Sequence, residues 1–415
     1  MTGLMMPSEL QDNGYQEITI DLLRPGMYVK SISYQDKGFI LKSEGYVLSL
    51  AKVMQLKEAG IKKVIVDPSR QKAVDNIDKV MPNISSSPLS KLNRVGRQKV
   101  VSLDDELNKA KSLYGNAKEL QSKILTNINA DRSLHAEEVR ETTDAMVDSI
   151  FRNQDALTCL SRLRSKSNYL MEHSLNCSIL MAVFAKHLKF DRDVIEQLTL
   201  GAFMHDIGKV FIPDDILNKP GPLTDKQQSI VRTHVALGAK ILEDTPHISH
   251  ITMKVILEHH ERIDGSGYPR GLKGNDISKY GRMMAIIDSY DAMTSDRCYQ
   301  DAIDPVAAFK TLVQESATAY DEELVEKFIQ CLGAYPVGTL VQLNSGKIGL
   351  VSERNKTKPT HPIVKVFYNA RLNQAIPIED IDLSKSKYRD QVDKCIRPEE
   401  FNISLLNFFK TAFVS

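Results

Sequence analysis

Cysteine is scarce in this 415-residue chain, and the five present, Cys159, Cys177, Cys298, Cys331 and Cys395, lie far apart and never as CxxC. An odd, scattered set excludes a disulfide framework and a thiolate zinc site, and fits a reducing cytoplasm. Long apolar runs are also missing. None approaches the ~18 residues a bilayer span needs, and the N-terminus has no basic segment leading into an apolar stretch and a small-residue cleavage site. We therefore expect a cytoplasmic protein with no membrane partner. Net charge is nearly absent, at +1 from 54 basic and 53 acidic residues, which removes the broad positive surface a nucleic acid polymer requires. Any phosphate site must be local. No internal repeat is found. What remains is an ordinary globular composition, 42% apolar, in a chain too long for one compact core.

The pattern along the chain is uneven. Residues 1–70 mix strand-like "GMYVKSIS", "GFILKSEGYVLSL" and "KKVIVD" with a helix-like "LAKVMQLKEAG", the mark of a small α/β module. Residues 71–102 are polar and proline-bearing and read as a linker. Ser102 and Asp105 resemble a capping box, after which Leu103, Leu107, Ala110, Leu113, Ala117, Leu120, Ile124 and Ile128 recur at helical spacing. This long connecting helix belongs to a region over 103–144. It could pair with its twin in a homodimer through residues 103–130, or pack onto its own domain. From Arg140 to about Gly333 nearly everything reads as helix, with a Thr224…Gln227 cap, and the largest domain is placed over 145–333. Residues 334–415 then alternate as "TLVQL", "KIGLV" and "PIVKVFY", a small β-rich appendage. The fold class is mainly α, with a small module at each end.

Chemistry concentrates in the helical segment. His173 and His234 fall on apolar faces; His259 and His260 follow "MKVILE"; His205 and Asp206 close the run "LTLGAFM" ahead of Gly208, a natural helix stop; Asp288 follows "MMAII". Taken singly, a histidine on an apolar face is ordinarily a core residue with satisfied nitrogens. A buried carboxylate is harder to dismiss, because it must be paired, protonated or bound to metal. Taken together, five of the ten histidines and two aspartates share one helical interior without a matching set of buried cations. Two metal ions sharing a carboxylate satisfy all of them and leave positions open for water and substrate. Imidazole and carboxylate without thiolate suit iron, manganese, zinc or nickel better than magnesium. Such a centre polarises a phosphoryl oxygen, acidifies a bridging water and clamps attacking and leaving oxygens, so phosphoester hydrolysis is the natural reaction. Lys209, three residues after Asp206, either adds positive charge there or meets a helix C-terminus.

The stretches "HDIGK" (205–209), "THVALGAKIL" (233–242), "HHERIDGSGYPRGL" (259–272) and "ISKYGRMMAIIDSYDAMTSDR" (277–297) resemble the HD-GYP phosphodiesterases, a branch of the HD metal-dependent phosphohydrolases. "EITIDLLRPGMYV" is similar to a module of unassigned function often found ahead of that domain. The resemblance implies an all-helical HD-type metallohydrolase domain over 145–333. It implies cyclic di-GMP as substrate, hydrolysed to linear pGpG and on to GMP by a metal-bridging hydroxide attacking phosphorus. It also implies the metal ligands His173, His205, Asp206, His234, His259, His260 and Asp288, with Asp206 bridging. Lys209 matches the family's phosphate-contacting lysine, catalytic together with Asp206, and Arg297 a substrate-binding arginine. Gly265, Gly267 and Gly271 let the loop turn tightly beside the metals, with Tyr268 and Pro269 shaping it against the substrate.

Two departures refine this. A third-metal glutamate is replaced by Tyr169, which implies a binuclear centre, with two divalent ions that are Fe or Mn ahead of Zn or Ni. After Arg297 the chain reads Cys298, Tyr299, Gln300 where the family carries further cations, which bears on affinity and dinucleotide preference. Competing readings are a hydrolase of cyclic GMP-AMP or linear dinucleotides, a non-catalytic cyclic di-GMP receptor, and a nucleotide triphosphohydrolase of the wider superfamily. Similarity also implies that the loop contacts signalling proteins such as diguanylate cyclases.

Overall fold

The computed structural model describes residues 15–23, 27–35, 45–47, 53, 56–57, 60–70, 101–129, 136–162, 169–243, 245, 248–296, 301–316, 318–355, 357–385 and 389–401. The chain divides into two units, Met1–Gly96 and Arg97–Ser415.

The first unit carries β1 (Gln16–Thr19), β2 (Tyr28–Gln35), β3 (Gly45–Tyr46) and β4 (Ile61–Asp67) in one antiparallel sheet of order β1-β4-β2-β3. β-branched Val64 and Val66 of the inner strand β4 face Ile18 and Val29 in a core that also takes Val53 and Leu56. Most of the helix expected over residues 50–60, and most of the strand expected over 38–50, lie outside the described residues, as does the linker up to residue 100.

The second unit begins with α1 (Leu103–Asn129), where Ser102 Oγ accepts from the Asp105 amide at 3.2 Å in the expected cap. Then follow α2 (Ala136–Arg152), α3 (Gln154–Leu160), α4 (Tyr169–His187), α5 (Arg192–Met204), α6 (Asp214–Leu217), α7 (Asp225–Arg232), α8 (His234–Glu243), α9 (His250–Glu258), α10 (Lys279–Met293), α11 (Pro305–Gln314) and α12 (Glu322–Leu332). Helix α4 is buried along its length from Glu172 to Ala185, so it forms the axis on which α1, α2, α3, α5, α10 and α12 pack. Leu107, Ala110, Ala117, Leu120, Ile124 and Ile128 of α1 all enter that core, so this stripe is covered by its own unit. Aromatic edges lock the far side. Phe328 meets Phe184 at 5.2 Å and Tyr290 at 5.3 Å between ring centres, and each such side chain contributes ~1.5–3 kcal/mol on burial.

The last strands, β5 (Leu340–Leu343), β6 (Lys347–Glu353), β7 (Ile363–Asn369), β8 (Gln374–Asp382) and β9 (Val392–Cys395), form an antiparallel sheet of order β8-β7-β6-β5-β9. This is the expected β-rich appendage, and it packs on the helices. Leu340, Val341, Ile348, Leu350, Val364 and Val366 join one continuous core with the helices. The sequence reading missed β8 and β9. β8 contains Pro377, is acidic and mostly exposed, and sits on the sheet edge where proline is tolerated.

Candidate metal centre

Five elements deliver the expected ligands to one place. His173 comes from α4, His205 and Asp206 from the end of α5, His234 from the first position of α8, His259 and His260 from just beyond α9, and Asp288 from α10. Tyr290, two residues and so about 200° away from Asp288 on its helix, is buried in the aromatic core. That anchor turns Asp288 toward the histidines.

Three of the imidazoles share one local device. Nδ1 lies 2.8 Å from the Ala202 carbonyl in His205, 2.7 Å from Val231 in His234 and 2.7 Å from Ile256 in His259. In each case the carbonyl is three residues earlier, in the last turn of a helix where backbone acceptors lack an intrahelical partner. A carbonyl only accepts, so each Nδ1 carries the proton and each Nε2 presents a lone pair. His234 Nε2 and His259 Nε2 then face each other at 3.3 Å. Burial pushes His234 down to about 4 and, with His260 and His205 beside it, holds His259 well below the usual range, so protonation does not relieve this opposition. A cation between the two nitrogens does.

Asp206 stands at the middle. Its Oδ1 is 3.4 Å from His234 Nε2 and 3.9 Å from His259 Nε2, while Oδ2 is 3.3 Å from His205 Nε2 and 3.7 Å from His173 Nε2. Each oxygen serves a different set. His173, His205 and Asp288 gather on one side, and His234, His259 and His260 with Asp206 on the other, each set offering ligand atoms within 4.8 Å of one another. Buried His205 Nε2 and Asp206 Oδ1 have no hydrogen-bond partner among the described residues, as donor atoms reserved for a metal would. The residues fit a metal centre. Burial opposes charge on Asp206 and Asp288, but His205 and Lys209 around the first, and His173 and His260 around the second, keep both carboxyls well below the ordinary range. Cys177, against the His173 ring at 3.8 Å, is different: burial pushes its thiol up to about 12.

Lys209 donates to Asp206 Oδ2 at 2.6 Å, so one acid of the cluster does have a cation at hand. Gly208 is not a helix stop. A short 3-10 turn, Ile207–Phe211, runs through it, and a Cβ there would stand 2.5 Å from the Gly238 amide; close packing of this turn on α8 demands glycine. Tyr268 stacks on His260, 4.6 Å between centres and 30° from coplanar, and its peptide to Pro269 is cis. At Gly267 a Cβ would lie 2.5 Å from the His260 carbonyl, so the loop folds back directly over the histidine pair. Arg297, Cys298, Tyr299 and Gln300, and the side chain of Tyr169, lie outside the described residues.

Three supporting carboxylates escaped the sequence reading. Asp291 accepts from His173 Nδ1 at 2.8 Å and so aims Nε2 at the cluster; its one signal was the one-turn spacing from Asp288. Fully buried Glu261 accepts the Arg270 and Leu272 amides, each at 2.8 Å, and closes the glycine-rich loop as a clasp. Buried Glu258 accepts from Lys254, Arg270 and the Ser278 amide.

The chain is similar to known proteins over most of its length. The HD domain family matches residues 158–324. A cyclic di-GMP phosphodiesterase of Pseudomonas aeruginosa is 33% identical over 385 residues, 91% of each chain. The chain belongs to the HD-GYP phosphodiesterases. This HD-GYP chain also matches a domain of unknown function over 15–139 and a KOW domain associated with the HD domain over 340–404. A cyclic di-GMP phosphodiesterase of Thermotoga maritima is 35% identical over 44% of the chain and 50% of its own. A 3′3′-cGAMP-specific phosphodiesterase of Vibrio cholerae is 30% identical over 46% of the chain and 35% of its own. Among the described residues no helix is long and apolar enough to cross a membrane.

Proposed function

We propose that this HD-GYP enzyme is a cytoplasmic phosphodiesterase that opens cyclic di-GMP to linear pGpG and cuts the product on to GMP. The observation that carries the mechanism is the carboxylate of Asp206, with one oxygen toward each set of histidines. His173, His205, Asp206 and Asp288 would hold one divalent ion, and Asp206, His234, His259 and His260 a second, with iron or manganese suiting the donors best and zinc or nickel next. Bound there, the ions supply Lewis-acid polarisation of the phosphoryl oxygen and a lowered pKa for water.

The chain's own groups do the rest. Imidazoles whose Nδ1 protons are committed to backbone carbonyls hold their Nε2 lone pairs in fixed directions, so little reorganisation is needed when charge develops on phosphorus. Lys209 is mostly buried and adds a positive charge beside Asp206, where the phosphate would sit. Tyr268 covers His260 and shapes the entrance. Arg297 is assigned to substrate by its motif position.

The test is product analysis by chromatography and mass spectrometry after mixing metal-loaded protein with cyclic di-GMP, alongside 3′3′-cGAMP and an Asp206→Ala control. Linear pGpG or GMP from the intact protein alone supports the proposal. Faster turnover of 3′3′-cGAMP would move the substrate to the preference named for the Vibrio cholerae relative. No product from either nucleotide, with metal occupancy confirmed, overturns hydrolysis in favour of a cyclic di-GMP receptor.

A further inference from the structure

We propose that Arg232 binds the second phosphate of the cyclic dinucleotide and so sets the preference for two-phosphate rings over small diesters. The inference rests on the phosphodiesterase reading above. Arg232 is the last residue of α7, two before His234, and is exposed. Its guanidinium carbon lies 4.9 Å from the centre of the Tyr268 ring, and that ring lies 4.6 Å from His260. The Tyr268 ring therefore adjoins both the exposed guanidinium and the His260 imidazole of the cluster. A guanidinium resting against an aromatic ring, with no carboxylate on it among the described residues, has N–H donors available, and these take a phosphate in two-pronged fashion.

Several other arginines of this unit are matched to acids. Arg152 pairs with Glu106 at 2.7 Å, Arg270 with Glu258 at 2.9 Å and Arg282 with Asp321 at 2.7 Å. Arg262, also near Tyr268, lies over Tyr320 and donates to Ser289. Among the described residues no carboxylate or carbonyl accepts from Arg232. It is a positioned cation with no carboxylate on it among the described residues. The two phosphates of a cyclic dinucleotide lie on opposite sides of a macrocycle, so when one is at the metal centre the other must lie outside it. Lys209 is engaged with Asp206 inside the cluster, and Arg232 stands beyond it beside the Tyr268 ring, where the outer phosphate would lie.

Steady-state kinetics of the full chain with Arg232→Met and Arg232→Lys test this, methionine keeping bulk on Tyr268 without charge. The expected result for Arg232→Met on cyclic di-GMP is a KM raised about tenfold at unchanged kcat, the loss of one charge-assisted pair, with Arg232→Lys between. A KM within about twofold of wild type, below the effect of one such pair, overturns the proposal. So does an equal loss on bis(p-nitrophenyl) phosphate, whose single phosphate cannot reach Arg232; that outcome marks a role in holding Tyr268. Wild-type protein inactive on cyclic di-GMP overturns the phosphodiesterase reading first, and this inference with it.

Discussion

The two sides of the histidine cluster share the carbonyl-held Nδ1 but differ in what supports the rest of each side. His173, His205 and Asp288 are set entirely by helices: α4, α5 and α10 cross beneath them, Asp291 aims His173, and α1 braces the back of α4 through Lys118 to Glu172 and Tyr114 to Asn176. His234, His259 and His260 depend on a helix start and a loop, and His260 keeps 16% of its side chain in solvent under Tyr268. The enclosed side has the character of an anchor, rigid because its supports are core residues. The open side, where we propose that substrate enters, takes its order from a clasp at Glu261 and a backbone crossing at Gly267.

The comparison yields tests in descending order of effect. Asp206 belongs to both sides, so Asp206→Ala should cost about 1,000-fold or more in hydrolysis, the several kcal/mol a metal centre supplies. Metal analysis should show loss from both positions, and retention of one ion would break the picture of a shared carboxylate. Asp291→Asn acts on the enclosed side alone. It should weaken metal binding there about 10–100-fold, seen in titration as one weakened and one unaltered step. Equal weakening of both steps would mean that the sides are not independent.

Glu261→Gln acts on the open side. An amide offers one acceptor where the carboxylate offered two, so one buried loop amide loses its partner, at about 1–3 kcal/mol. KM should rise several-fold with metal content intact; a loss of metal instead would place the clasp in the anchor. Smallest is Lys118→Met, which leaves Glu172 buried without its lysine. A melting temperature lower by about 2–6 °C with kcat/KM unchanged is expected, and a fall in kcat would show that α1 steers the centre as well as supporting it.

Much of this was legible in order of residues. Histidines and aspartates at helical spacing on apolar faces, with too few cations to pair them, pointed to a metal cluster because burying such groups is costly without one. The caps at Ser102 and Thr224 were equally plain, being local hydrogen bonds between residues three apart. Asp291 and Glu261 were hidden for a different reason: their partners, His173 and the Arg270 and Leu272 amides, are distant in sequence or on a turn whose path no periodicity predicts. Edge strand β8 was masked by its proline and acids.

By itself, then, the sequence determined which groups must leave water together and which helices would carry them, since side-chain chemistry and a 3.6-residue period are local properties. Tertiary structure alone decided that Asp206 would divide its oxygens between two sets and that three histidines would spend their Nδ1 protons on helix-end carbonyls. It also decided that Arg232 would rest on Tyr268 and that the C-terminal strands would share the helical core. Those outcomes depend on distances between segments far apart in the chain, which only packing sets.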